Sequence, residues 1–194
     1  GNDIRKAVAD GWPAENAIGS DLRQGFWDFG HELFISTPKS FPVAFVAGDA
    51  FDSTIIAPRA PFTEVPETPR PDLKSLVSLT PLQGHISVIH ASSFFHLFDE
   101  ARQLELAKRV ATLLSPLAGS IIFGSHIGKL EKGLHERHDD ETKMFCHSPE
   151  SWQALWDGEI FDKGQVKVDA ILRPVERPDK TGVAHLLIWS VTRQ

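Results

Sequence analysis

Apolar residues recur along this chain in two rhythms, and the change from one to the other lays out its elements. In GNDIRKAVADGW, Ile4, Ala7, Val8 and Trp12 fall at i, i+3, i+4 and i+8, the period of a helix. AIGSDL then reads as a short apolar strand ending on Asp21. QGFWDFGHELF returns to helical spacing with Phe26, Phe29, Leu33 and Phe34. PVAFVAGDAF is a continuous apolar run ending on a second acid, Asp49, and such runs suit parallel strands covered on both faces. PDLKSLVSL predicts a short helix, and HISVIHASS a third buried strand. DEARQLELAKRVATLLSP puts Leu104, Ala107, Val110, Ala111 and Leu114 on one helical face, closed by Pro116 and Gly119. SIIFGSHIG is the next strand with its exit loop. KLEKGLHERHDDETKMF has no clean period and reads as a loop. SPESWQALWDG is a helix capped by Ser148, with Pro149 in its first turn and Trp152, Leu155 and Trp156 as its apolar face. QVKVDAIL alternates, VAHLLIWSV is apolar throughout, and ERPDKTG joins them as a hairpin-like connection.

Helices and strands alternate until the last two strands. Alternation predicts an α/β fold with a doubly wound, mostly parallel sheet and helices on both faces. The final strands have no helix between them, so at least one runs antiparallel. No internal repeat and no second domain is visible, so residues 1–194 are expected to form a single domain. The segment 53–71 stands apart. Pro58, Pro61, Pro66, Pro69 and Pro71 exclude a helix or a central strand there. It reads as a long surface connection, either an inert loop or a lid or tether.

Composition narrows the classes. A chain with 41% apolar and 24% charged residues is an ordinary globular mixture. A net charge of −6 weighs against nucleic acid and anionic membrane as partners. No stretch approaches the roughly 18 apolar residues of a membrane-spanning helix. The one cysteine, Cys146, excludes an intramolecular disulfide and fits a reducing, cytoplasmic compartment.

Doubly wound sheets bind ligands at the carboxyl ends of their strands. Asp21 stands at one such end, where a carboxylate accepts from two adjacent ribose hydroxyls. Asp49 stands at the next, placed to accept from an adenine amino group, with Ala50 or Phe51 packing on the ring. Either acid equally suits a helix cap or a turn. His90, Ser92, Ser93 and His96 line the same rim, and a histidine there suits a general base. The competing reading is a serine-capped helix start, with Phe94, Phe95, Leu97 and Phe98 as core. His126 is a second rim histidine. His135, His138, Asp139 and Asp140 match no closed zinc spacing, so no metal is expected. Cys146 precedes a helix that could lower a thiol pKa, but His147 adjoins it only in sequence. No GxSxG elbow or Walker-type phosphate loop occurs.

Four stretches then carry a likeness: GNDIRKAVADGWPAENAIGSDL, FVAGDAFD, IHASSFFHLFDEARQLELAKRVATLLSPLAGSIIFGSHIG and FCHSPESWQALW. Over nearly its whole length the chain resembles class I S-adenosylmethionine-dependent methyltransferases, in particular a fungal group. The resemblance implies a cofactor site. Gly1 matches the last glycine of the turn beside the methionine part of S-adenosylmethionine. Asp21, followed by Leu22, matches the ribose acid, and Asp49 with Ala50 the adenine pair. His90, Ala91 and Ser92 match the strand end beside the methyl donor, with S-adenosylhomocysteine as the product. The family's sheet has seven strands, the last antiparallel. Only six are read here, so the first strand is expected to be missing, as in an N-terminally truncated form. The expected activity is methyl transfer to an oxygen or nitrogen of a small acceptor of secondary metabolism, with His96 or His126 removing the proton. Two alternatives stand beside it. One is a non-methylating descendant that binds a ligand or acts as a cyclase or isomerase. The other is an interaction module that forms a homodimer or recruits a partner chain at the open sheet position.

Overall fold

The computed structural model describes residues 1–135, 144–176 and 183–194. They fall into two compact units, Gly1–Pro58 with Thr68–Leu82, and Arg59–Glu67 with Gln83–Gln194.

The first unit is organised by a parallel strand pair. β1 (Ile18–Asp21) lies beside β2 (Ala44–Ala47), with Ile18 opposite Ala44 and Asp21 opposite Ala47. Parallel neighbours need a crossover, supplied here by α2 (Gln24–Leu33). Before them, α1 (Asn2–Ala9) turns Ile4 and Val8 onto a small core of Ala17, Phe41 and Val43. From α2, only Trp27 joins that core, stacking on Phe45 at 4.8 Å between ring centroids. The helical spacing of Phe26, Phe29 and Leu33 is therefore correct, but these side chains are exposed. PDLKSLVSL is not an α-helix. It holds only a 3-10 turn at Leu73–Ser75, opened by the Asp72 carboxylate accepting from Lys74 N–H. Its buried leucines, Leu73 and Leu79, would sit about 120° apart on a helix. Instead the N–H groups of Leu79 and Thr80 both donate to the Ile55 carbonyl, at 2.8 and 3.0 Å.

The second unit carries a four-stranded sheet in the order β3-β4-β8-β7. β3 (Val88–His90) runs parallel to β4 (Ile121–Gly128). β8 (Val183–Arg193) is antiparallel to both β4 and β7 (Val166–Glu176), as the helix-free step between the last strands requires. Across the described residues two strand pairs are parallel and two of the long ones antiparallel. The expectation of a buried third strand is corrected. β3 is three residues long and leaves Val88 and His90 exposed, because among the described residues it ladders on one side only.

α3 (Glu100–Leu113) starts where the Asp99 carboxylate accepts from Arg102 N–H at 2.8 Å. It buries Leu106, Ala107, Val110 and Ala111, together with Gln103, whose amide donates to the carbonyls of Phe98 and Phe145. α4 (Pro149–Trp156) has the Ser148 cap and initial proline read from the sequence, and Ser151 completes a capping box. Trp152 and Trp156 are both buried. The aperiodic stretch before α4 also holds a short antiparallel pair, β5 (Gly133–His135) and β6 (Met144–Cys146). Most of the acidic and histidine-rich run, residues 136–143, lies outside the described residues, as do 177–182 of the β7–β8 connection.

The proline-rich segment has neither helix nor strand. Within the second unit it is anchored. Phe62 and Pro66 close on Gly84, where a Cβ would come within 2.7 Å of either and φ is +78°. The Arg193 guanidinium donates to the Phe62 carbonyl at 3.1 Å.

Candidate functional site

Two sets of candidate groups emerge, one in each unit. In the first, Asp21 closes β1 and Asp49 lies two residues beyond β2, on the same end of the pair. The Gly48 N–H donates to the Asp21 carbonyl at 2.9 Å and ties the two ends together. Each acid folds back on its own backbone in the same way. Asp21 Oδ1 accepts from Arg23 N–H, and Asp49 Oδ1 from Phe51 N–H, both at 2.9 Å. These are turn aspartates. Both are exposed, and the second oxygen of each has no side-chain or backbone donor among the described residues. Each can therefore still accept from a ligand. Leu22 is exposed beside Asp21, and Ala50 is half-buried beside Asp49. Gly1 sits before α1, where a Cβ would meet the Trp27 ring at 3.4 Å.

In the second unit the exit of β3 folds across β4. Ala91 N–H donates to the Phe123 carbonyl, and Ser93 N–H to the Ser125 carbonyl. The Ser92 hydroxyl accepts from Ser125 N–H at 3.0 Å and lies 2.8 Å from His90 Nε2. Ser93 adopts a left-handed conformation, φ +52°, to make the turn. Gly124 makes the crossing sterically feasible, because a Cβ there would stand 2.5 Å from the Ala91 carbonyl oxygen. Phe94, Phe95 and Leu97 do not extend a helix. A 3-10 turn at Phe95–Leu97 delivers Phe95 into the core and His96 beside it.

His126 is not a rim residue. It lies inside β4 on the face shared with Ile122, Gly124 and Gly128, only 1% exposed. Its Nδ1 accepts from Trp189 Nε1–H at 3.0 Å. Burial, reinforced by neighbouring His96 and His147, pushes its pKa down to about 3. His126 is therefore neutral near pH 7, with its proton on Nε2. Phe95, Trp152, His96 and Trp189 surround it, with ring centroids 4.8–6.2 Å away. His96 is half-buried, its pKa also lowered by burial, and its Nδ1 has no partner. His147, just before α4, lies 5.2 Å from Trp152 and is held down to about 4 by burial, with Glu100 opposing and Lys132 assisting. Cys146 is fully buried and its thiol is pushed up to about 11, so it is no thiolate nucleophile.

The structure thus brings His96 and His126 together in the core and adds His147, Trp152 and Trp189. The signal for His126 was present in the sequence. Period-two alternation in SIIFGSHIG places it on the same face as Ile122. Trp152 was visible as helix core, but nothing local marked its indole N–H. Among the described residues no group of three His, Cys, Asp or Glu is placed to hold a metal. None of their helices is long and apolar enough to cross a membrane.

Solved structures place this architecture. A protein studied for the conversion of a disulfide bond into a thioacetal group during echinomycin biosynthesis superposes with a TM-score of 0.55. It shares 15% identity, over 100% of this chain and 71% of its own. A methyltransferase dependent on S-adenosylmethionine from Methanosarcina mazei gives 0.51 at 8% identity, over 92% of this chain and 84% of its own. The fold is the Rossmann-like fold of S-adenosylmethionine-dependent methyltransferases. No family model matches the chain. By sequence, however, it is a homologue of fungal methyltransferases. O-methyltransferase phiE of a fungal species is 36% identical over 156 residues, 80% of this chain and 45% of the relative. The Asnovolin E/Chermesin D methyltransferase nvfJ of Aspergillus novofumigatus is 29% identical over 198 residues, 100% of this chain and 63% of the relative. The methyltransferase adrK of Penicillium rubens is 29% identical over 87% of this chain and 53% of its own length. The chain therefore spans about half the length of the curated relatives it matches.

Proposed function

We propose that this chain binds S-adenosylmethionine and takes part in methyl transfer to an oxygen or nitrogen of a small apolar molecule of fungal secondary metabolism. The likeness to a curated fungal O-methyltransferase over four-fifths of the chain carries the reading and favours oxygen. The free carboxylate oxygens of Asp21 and Asp49 are compatible with the polar edge of a nucleoside. In this reading Asp21, beside Leu22, accepts from the ribose hydroxyls, and Asp49 with Ala50 meets the adenine. Gly1 approaches the methionine part, and His90, Ala91 and Ser92 form the strand end near the methyl donor. When bound, the cofactor supplies an electrophilic methyl on a sulfonium sulfur.

The chain's own residues would then hold the acceptor and move its proton. His126 Nδ1 already accepts from Trp189, so its lone pair is not free to act as a base. His96 Nδ1 has no partner and is the group this reading assigns to receive the acceptor's proton. Its lowered basicity keeps it deprotonated, and so ready to accept, near neutrality. The buried single cysteine fits the cytoplasmic setting this reading adopts. Titration calorimetry of the chain with S-adenosylmethionine and S-adenosylhomocysteine tests the proposal. One equivalent of each should bind, and heat at the level of buffer dilution for both would overturn it for this chain.

A further inference from the structure

Several hydrogen-bonding groups in the core around β4 are buried without an answer. His96 Nδ1, His126 Nε2, His147 Nε2, Trp152 Nε1, Trp156 Nε1 and Gln103 Oε1 are buried without a partner. Each such atom has given up water without a replacement partner, which costs stability. These atoms are not scattered. The Trp152 ring lies 4.8 Å from His126 and 5.2 Å from His147, and His96 lies 6.2 Å from His126, between centroids.

Four of the six have a fixed hydrogen-bonding sense, Gln103 Oε1 as an acceptor and three as donors. An indole N–H only donates. Trp189 gives its N–H to His126 Nδ1, so that nitrogen carries no proton and Nε2 of the neutral ring must. His126 Nε2 and Trp152 Nε1 are thus both N–H donors on adjoining rings, both residues at most 1% exposed. His147 decides nothing here, because its contact with the Ser151 hydroxyl at 2.8 Å is compatible with either direction. A ligand atom that answers both donors needs two lone pairs, and a carbonyl or carboxylate oxygen offers them without a proton of its own to place in the same core. Around it the surface is aromatic, with Phe95 and Trp189 each within 6.1 Å of the His126 ring. Such surroundings favour an apolar body, and their low dielectric strengthens the polar contacts they enclose.

We propose that His126 Nε2–H and Trp152 Nε1–H together bind a carbonyl-type oxygen of the acceptor substrate, whose apolar body lies against the surrounding aromatic rings. The word acceptor rests on the methyltransferase reading, whereas the oxygen site does not. His126 and Trp152 become residues that orient the substrate and select ketone-, ester- or carboxylate-bearing molecules over hydrocarbons of the same shape.

A matched pair of probes tests this on the whole chain. Acetophenone carries the oxygen, and α-methylstyrene replaces it with a methylene. In nitrogen-15 spectra the Trp152 indole signal is assigned with the Trp152→Phe variant. Acetophenone should shift that signal and slow its hydrogen exchange, and α-methylstyrene should do neither. Trp152→Phe, which keeps most of the ring, should weaken acetophenone about tenfold and leave α-methylstyrene unchanged, as expected for one lost hydrogen bond. Equal responses to the two probes, or none to either, would overturn the inference and assign the donors to a trapped water. Calorimetry with S-adenosylhomocysteine on the same sample separates the two ideas. Cofactor binding without a Trp152 response retires the oxygen site alone. A selective Trp152 response without cofactor binding supports the oxygen site and retires the methyltransferase reading.

Discussion

Asp21 and Asp49 in the first unit, and His126 and His147 in the second, are all candidate site residues, yet burial divides them completely. The two acids sit exposed at strand ends, each held by one backbone N–H two residues on. The two histidines lie inside an aromatic core, and both are held neutral. The helices repeat the contrast. α1 and α2 bury no residue fully, whereas α3 and α4 bury Leu106, Ala107, Trp152 and Trp156. Polar chemistry at an exposed turn is separable from stability. Inside a core the same groups also determine whether the unit folds. The two sets of candidate residues should therefore respond to mutation in opposite ways.

The largest test of that contrast is Phe95→Ala. Phe95 is fully buried and meets Trp152, Trp156 and Trp189 edge-on at 5.0–6.1 Å. Its truncation should cost about 3–5 kcal/mol in urea unfolding. A loss near 1 kcal/mol would mean that this aromatic cluster is not the core of the second unit.

Acid should reveal the same asymmetry at smaller scale. The folded-state pKa values of His126 and His147, about 3 and about 4, lie below the roughly 6.5 of an unfolded histidine. Below pH 6.5 the unfolded chain therefore binds protons that the folded chain refuses. Stability from keeping these rings neutral is complete above pH 6.5 and is lost as pH falls toward 4 and then 3. The slope from each histidine approaches about 1.4 kcal/mol per pH unit. His147→Asn should flatten the acid limb of a stability–pH curve measured by urea titration. An unchanged slope would show that His147 titrates normally in the fold.

Much of this arrangement was legible in the sequence, and the failures share a physical cause. Ser148, Pro149 and the Trp152/Trp156 pair gave α4 correctly, because capping and helical period are local properties. Asp21 and Asp49 were placed at strand ends for the same reason. What the pattern could not show was which neighbours cover a face. Phe26, Phe29 and Leu33 have helical spacing but remain exposed, while Trp27, off that stripe, does the packing. PDLKSLVSL failed because the Ile55 carbonyl, far away in sequence, takes the Leu79 N–H. Gly124 gave no local sign of its role, since the Ala91 carbonyl it admits belongs to another strand's exit. His126 was misread as a rim residue because its place at the end of an apolar run outweighed the alternation within it.

The smallest stability effect is expected at Asp21, where the contrast is sharpest. Asp21→Asn keeps an oxygen able to accept from Arg23 N–H, so the turn at the end of β1 should survive. The side chain is exposed, and a substitution of this kind usually stays within about 0.5 kcal/mol in unfolding. Binding should not stay unchanged. A carboxylate that accepts from two ribose hydroxyls makes charge-assisted bonds, each worth about 1.5–3 kcal/mol, and an amide cannot replace both. S-adenosylhomocysteine affinity should therefore fall at least about tenfold in calorimetry while the urea midpoint holds. If the midpoint falls and affinity does not, Asp21 is a structural turn residue only. The acid that most invited a nucleoside reading would then belong to the scaffold.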